Sequence, residues 1–268
     1  MLKKRVIFTL LYDCGSFMLS RNFRLQRVGD LLWLQKNYNF SQIAFSIDEL
    51  IILDVTRGER DQEKFCDHIK ALSKGCFVPI TAGGGIRSVE QVRSLLRSGA
   101  DKIVVNSLTV INPIIIKEIA LEFGRQCIVA SLDVKLINKV YSVWTENGNR
   151  AQDGTLYEWL EKLIKLPVGE LYLNSIDRDG TGQGYDLALL ENLPSPMPIP
   201  VILAGGAGKY HHLAEGLNDK RVNAVATAHL FNFVGNGLEK SREELLRNGF
   251  ELPIWNKQIA YELRNVFA

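Results

Sequence analysis

The chain has 268 residues, of which 46% are apolar, enough for a sizeable core in one large domain or two small ones. Its 32 basic and 30 acidic residues leave a formal net charge of +2 and no long basic run, which argues against a general nucleic-acid or membrane surface. The four cysteines, Cys14, Cys66, Cys76 and Cys127, have no C-x-x-C spacing and no histidine partners; no metal site, disulfide framework or cofactor is expected, and the thiols read as those of a reduced, cytoplasmic protein.

Met1 to Leu11 joins a basic start to an apolar run that is too short for a signal peptide and lacks a small-residue cleavage site, so Arg5 to Leu11 reads as a first strand buried on both faces. No apolar run reaches the roughly 20 residues needed to span a bilayer. Tyr12 to Gly29 has no sustained periodicity and reads as a long, functional loop. Asp30 then caps a helix over Leu31 to Tyr38, with Leu32, Leu34 and Tyr38 on one face.

From there strand and helix alternate. Glu49 to Asp54 predicts a strand, Asp61 to Ser73 a helix, and Val78 to Ala82 a strand ending in Gly83-Gly84-Gly85. Ser88 with Gln91 forms a capping-box pair that opens the helix to Ser98. Lys102 to Asn106 is the fourth strand; Asn112 as N-cap with Pro113 at the first helical position starts a helix through Phe123. Cys127 to Asp133 is the fifth strand. Lys135 to Thr155 interrupts the rhythm with alternating Val140, Ser142 and Trp144 and the turn pair Asn147-Gly148, a two-stranded excursion. Leu156 to Leu166 is helical, Leu171 to Ser175 the sixth strand, and Leu187 to Leu193 a short helix. Val201 to Ala204 and Val222 to Ala226 are the seventh and eighth strands, and Glu239 to Arg247 is a closing helix. About eight βα units with short turns and no linker predict a single α/β domain over residues 1–268, a (β/α)8 TIM barrel.

A long-period self-similarity supports that reading. Ile80-Thr81-Ala82-Gly83-Gly84 corresponds to Ile202-Leu203-Ala204-Gly205-Gly206, 122 positions later, and Leu11 and Asp133 stand 122 positions apart at the ends of apolar strands. An internal half-barrel duplication explains both. It places two glycine clusters after the third and seventh strands, on the face where barrels carry their chemistry. Backbone N–H groups in such turns bind anions, so a substrate with a phosphate at each end is expected. The densest chemistry lies in Asn174 to Asp186, where Asp177, Asp179 and Asp186 share a turn with three glycines and an arginine; acids there suit proton transfer or hydroxyl binding.

G-G-G-I after the third strand, A-D-K-I-V-V-N-S at 100–107, S-L-D-V-K at 131–135, S-I-D-R-D-G-T at 175–181 and G-G-A-G-K at 205–209 together resemble the cyclase subunit of imidazole glycerol phosphate synthase, from Arg5 to about Phe233. The resemblance implies a barrel partnered as a heterodimer with a separate glutaminase subunit. That subunit docks on the bottom and sends ammonia through the barrel to a phosphorylated small-molecule substrate at the top. It places one phosphate site at Gly85, Asn106 and Ser107 and the other at Asp179, Gly180, Gly205, Gly206 and Ala228. It makes Asp133 one of two catalytic aspartates and Arg5, Glu49, Lys102 and Glu170 a charged ring gating ammonia entry, with Asp101 touching the glutaminase. Two acids and two bases so placed can neutralise one another, as buried charges require.

The departures cluster on the active face. Leu11 stands where the first catalytic aspartate is expected, Leu19 where a loop lysine is expected, and Ala204 and His229 where two serines are expected. Asp13, two residues beyond Leu11, is the candidate substitute acid, with Arg21 near Leu19 and His229 after the eighth strand as candidate phosphate contacts. The expectation is a divergent subunit of a glutamine amidotransferase complex, a carbon–nitrogen lyase or synthase, that uses or relays ammonia for C–N bond chemistry on a phosphorylated or sugar substrate, in surface-sugar biosynthesis. The alternatives are a genuine cyclase of histidine biosynthesis, which makes imidazole glycerol phosphate and an aminoimidazole carboxamide ribotide, and a non-catalytic activator of the glutaminase.

Overall fold

The structure, a computed structural model, describes residues 3–37, 45–228 and 237–254 together with Asn256, Gln258, Ile259 and Glu262. Twelve strands are described: β1 (Arg5–Asp13), β2 (Ser16–Arg21), β3 (Arg24–Asp30), β4 (Glu49–Asp54), β5 (Ile80–Gly83), β6 (Lys102–Val105), β7 (Ile128–Ile137), β8 (Val140–Thr145), β9 (Arg150–Ala151), β10 (Glu170–Ser175), β11 (Val201–Ala204) and β12 (Ala224–Thr227). Eight of them, β1, β4, β5, β6, β7, β10, β11 and β12, pair in parallel, and the β7–β10 and β12–β1 pairs close the sheet into a barrel. Helices at Leu31–Asn37, Gln62–Ser73, Val89–Arg97, Pro113–Phe123, Leu156–Leu163, Tyr210–Asn218 and Gly237–Arg247 alternate with these strands.

Each stave carries two apolar faces because successive side chains point to opposite sides. One face packs on the helices: Phe8, Leu10, Leu50 and Ile52 join Ile69, Val92, Ile116 and Leu160 in the larger core. The other fills the barrel with Ile7, Ile51, Val104, Val129, Tyr172, Ile202, Ala224 and Ala226. Each fully buried aliphatic side chain contributes about 1.5–3 kcal/mol. Along the inward face of β1 the order is Arg5, Ile7, Thr9, Leu11, and along β10 it is Glu170, Tyr172, Asn174. The interior is therefore layered, as barrel interiors are: charges at one end, an apolar middle, and a polar mouth at the other.

The 12–29 segment differs from the expected loop. Cys14 (φ 47) and Gly15 (φ 90) turn β1 back onto β2, and Asn22 (φ 50) with Phe23 (φ 64) turn β2 onto β3. Two tight turns of left-handed residues make an antiparallel hairpin from a stretch whose hydrophobic alternation is weak because neither face is fully buried. The excursion at 135–155 forms as expected, with β7 running on to Ile137 and pairing with β8. It follows β7, which stands four staves from β1 in either direction. Asp30 Oδ1 accepts the Trp33 N–H at 2.9 Å as an N-cap should, but Leu32 is exposed and only Leu34 of the expected face is buried; Tyr38 lies outside the described residues. Gln91 returns its side chain to the Arg87 N–H and not to that of Ser88, and Asn112 makes no side-chain cap. All four cysteines are free, and among the described residues no helix is long and apolar enough to cross a membrane.

Candidate active site

The mouth at the C-terminal ends of the staves is a cavity of about 650 Å³ lined by both glycine loops, Asp133, and the β2–β3 hairpin. Asp133 projects from the inward face of β7. Its Oδ2 accepts from Asn106 Nδ2 at 2.8 Å and its Oδ1 from Asn174 Nδ2 at 2.9 Å. Two amides from the neighbouring staves thus fix the carboxyl plane. Burial pushes the Asp133 carboxyl up to about 7, opposed by the Asn174 hydrogen bond and assisted by the charge of Asp179. A carboxyl that titrates near neutral pH can both take and give a proton. Below it the Tyr172 hydroxyl lies 3.3 Å from Thr9 Oγ1 and closes the floor; burial raises that phenol well above its ordinary range.

Leu11 stands across the barrel from Asp133 and lines the same cavity, so an apolar side chain takes the place opposite the acid. Asp13 is not among the cavity-lining residues. It closes β1 opposite Ser16 at the hairpin turn, beyond the barrel rim, and its charge helps to raise the buried Asp54 carboxyl, an effect secondary to burial itself. Of the other expected residues, Gly85, Asn106, Ser107, Asp179, Gly180, Gly205, Gly206 and Ala228 all line the cavity, as does Arg21. The two glycine loops lie on opposite sides, after β5 and β11. His229 lies outside the described residues.

The acidic stretch at 174–186 works as a clamp. Asp177 Oδ2 accepts the Leu136 N–H at 2.8 Å, and Asp186 accepts the Tyr141 hydroxyl at 3.1 Å, which holds the β7–β8 hairpin. Asp179 Oδ2 accepts from Ser20 Oγ at 2.5 Å and from the Phe23 N–H at 3.0 Å, and its carbonyl accepts the Asn22 N–H at 2.9 Å. Asn22 Nδ2 adds bonds to the carbonyls of Ile176 and Asp177. The β2–β3 tip is thereby bound over the mouth. Gly180 (φ +66) permits the contact, since a Cβ there would run into the Ser20 carbonyl oxygen. Burial raises the Asp179 carboxyl against the lowering effect of its Ser20 and Phe23 bonds. Sequence reasoning missed Ser20, Asn22, Tyr172 and Asn174. Asn174 was accessible from period-2 spacing, four residues after Glu170, while the hairpin residues join the site only through the fold.

At the opposite end Arg5, Glu49, Lys102 and Glu170 form a closed ring of alternating charge. Arg5 Nη1 meets Glu49 Oε2 at 2.9 Å and its Nη2 meets Glu170 Oε2 at 2.5 Å; Lys102 Nζ meets Glu49 Oε2 at 3.0 Å and Glu170 Oε1 at 2.6 Å. Thr81 Oγ1 donates to Glu49 Oε1 at 2.6 Å. Burial alone would raise the Glu170 carboxyl, yet its bonds to Arg5 and Lys102 bring it below its ordinary value. Such compensation is what keeps charges tolerable inside a barrel. Asp101, at the same end and exposed, accepts the Ile80 N–H at 2.8 Å.

Comparison with known proteins agrees with this architecture. The pattern of the family described as histidine biosynthesis protein matches residues 24–235. A protein provisionally named imidazole glycerol phosphate synthase subunit hisF2, from Parasynechococcus marenigrum (strain WH8102), is 48% identical over 248 residues, 92% of this chain and 92% of that protein. The chain belongs to the histidine biosynthesis protein family, as a relative of the cyclase-type subunits of imidazole glycerol phosphate synthase.

Proposed function

We propose that this barrel receives ammonia from a separate glutaminase at the end closed by Arg5, Glu49, Lys102 and Glu170, and uses or relays it at the Asp133 mouth for C–N bond formation on a phosphorylated or sugar substrate. The observation that carries the reading is the pairing of an intact, self-neutralised charge ring at one end with a buried acid, Asp133, that titrates near neutral pH at the other. Between them lies an inner layer of small and apolar side chains, including Ala224 and Ala226, a medium that suits a neutral molecule such as ammonia and disfavours an ion. Ring closure of the cyclase type calls on two acids in concert; here Leu11 faces Asp133 and Asp13 is not in the cavity lining. Asp133 alone can protonate a leaving hydroxyl or take a proton from attacking ammonia, which is the chemistry of amination or amidine formation. On this reading the chain is a synthase or lyase subunit serving surface-sugar biosynthesis, Gly85, Asn106 and Ser107 hold one phosphate, and Asp179, Gly180, Gly205, Gly206 and Ala228 hold the other. The glutaminase docks as a heterodimer partner over Asp101.

Conversion of the bisphosphorylated cyclase precursor with ammonium salts tests this. The native chain should turn it over poorly, and Leu11→Asp should raise the rate. Fast turnover by the native chain that persists in Asp13→Asn would sink both the divergent reading and a rescue by Asp13.

A further inference from the structure

The cavity holds more cationic donors than its own residues can occupy. Arg21 and Arg24 enter it from the β2–β3 hairpin, and Arg57 and Arg60 from the segment after β4. The carboxylates of the lining are already engaged: Asp133 by two asparagines, Asp179 by the hairpin, Glu146 by Arg150 at 3.3 Å, and Asp54 by the Thr56 N–H at 2.9 Å. The arginines keep most of their donors open. Among the described residues the side chains of Arg21 and Arg24 make no hydrogen bond or ion pair, and Arg57 uses only Nη2, on the Phe23 carbonyl at 2.6 Å. Arg60 approaches Asp54 at 3.6 Å through Nε, which is buried without a hydrogen-bond partner. A buried donor left open is costly, and the side chain packs closely on Gly85: a Cβ there would meet Arg60 Cδ at 2.6 Å. Arg60 therefore packs against the glycine loop, and it lines the cavity.

The geometry points to a ligand carrying a diphosphate, or two phosphates set side by side, held between Arg57 and Arg60 on one side and Arg21 and Arg24 on the other. This wall is additional to the two glycine-loop sites at opposite sides of the mouth. Guanidinium forks match phosphate oxygens two at a time, and four guanidiniums carry more positive charge than one phosphate balances. The pairing of Arg57 with the Phe23 carbonyl brings the two elements together at the place where the anion would lie.

This assignment deepens the reading of the cavity as the reaction site and rests on it, but its test needs no glutaminase. Calorimetric titration of the full chain with inorganic pyrophosphate should show saturable binding at least tenfold tighter than for inorganic phosphate. Arg24→Ala, which removes no side-chain hydrogen bond or ion pair among the described residues, and Arg60→Gln should each weaken pyrophosphate by about tenfold, with thermal unfolding used to verify that each variant is folded. Absence of binding, equal affinity for phosphate and pyrophosphate, or an affinity unmoved in folded Arg24→Ala overturns the assignment. Any of these leaves the passage of ammonia, read at the other end of the barrel, untouched.

Discussion

Replacing Asp133 by asparagine isolates the cost of holding an ionisable group at the barrel mouth. The substitution keeps shape and hydrogen bonding, because the new side-chain amide can accept from Asn106 and donate to Asn174 once the Asn174 amide rotates. It removes the charge. The native carboxyl titrates at about 7 against an ordinary 3.8, so the folded chain binds this proton more tightly than the unfolded chain does. That contribution to stability is fully present below the unfolded value and is lost as pH rises through about 7. A tenfold change in proton affinity is worth about 1.4 kcal/mol. Integrated over the window, the stability of Asp133→Asn relative to the native chain should grow by about 2 to 3 kcal/mol between about pH 5 and about pH 8. In urea denaturation this is a midpoint shift on the order of 1 M. A difference that stays constant with pH would show that the carboxyl is not desolvated as described, and the argument for its acid–base role would fall with it.

Three other outcomes are expected. Lys102→Ala opens the charged ring and leaves Glu49 and Glu170 each short of one cation; the ratio of glutamine-driven to ammonium-driven product formation in the complex with a glutaminase should change, and an unchanged ratio makes the ring purely structural. Arg242→Ala removes a guanidinium that makes two bonds to the buried Asp48 at 3.0 and 2.7 Å, tying the Gly237–Arg247 helix to the start of β4. Breaking a buried pair in this way should cost about 3–5 kcal/mol in chemical denaturation, whereas a loss below about 1 kcal/mol would mean that water replaces the pair. Gly180→Ala places a methyl against the Ser20 carbonyl at a positive φ; limited proteolysis should then cut the hairpin near Asn22 and Phe23 several-fold faster, and an unchanged rate would mean that the clamp yields without releasing it.

Much of this protein could be read along the chain. Eight alternating strand and helix signals, the caps at Asp30 and Ser88, and apolar runs such as Val201–Ala204 are local properties, set by period, propensity and nearest neighbours. They were sufficient for the barrel and for the end of the barrel that carries the glycine loops; Asp133 and the four ring charges came from the family resemblance of the motifs on those strands, and period-2 spacing adds only that Arg5 and Leu11 share one face of β1.

The tertiary structure alone decided what each of these groups meets. Whether Asp13 could stand in for an acid at position 11 depended on the turn at Cys14 and Gly15, which carries β1 past the rim and leaves Asp13 outside the cavity lining. The three carboxylates of the 174–186 stretch looked like candidate catalytic acids in sequence; folded, they are anchors for two hairpins. The buried Arg60 Nε without a hydrogen-bond partner and the rise of the Asp133 carboxyl come from burial and from neighbours distant in the chain, which only closure of the barrel creates. Strand direction and face are written locally, but desolvation and charge compensation are sums over everything nearby in space, and those sums exist only once the eighth stave has met the first.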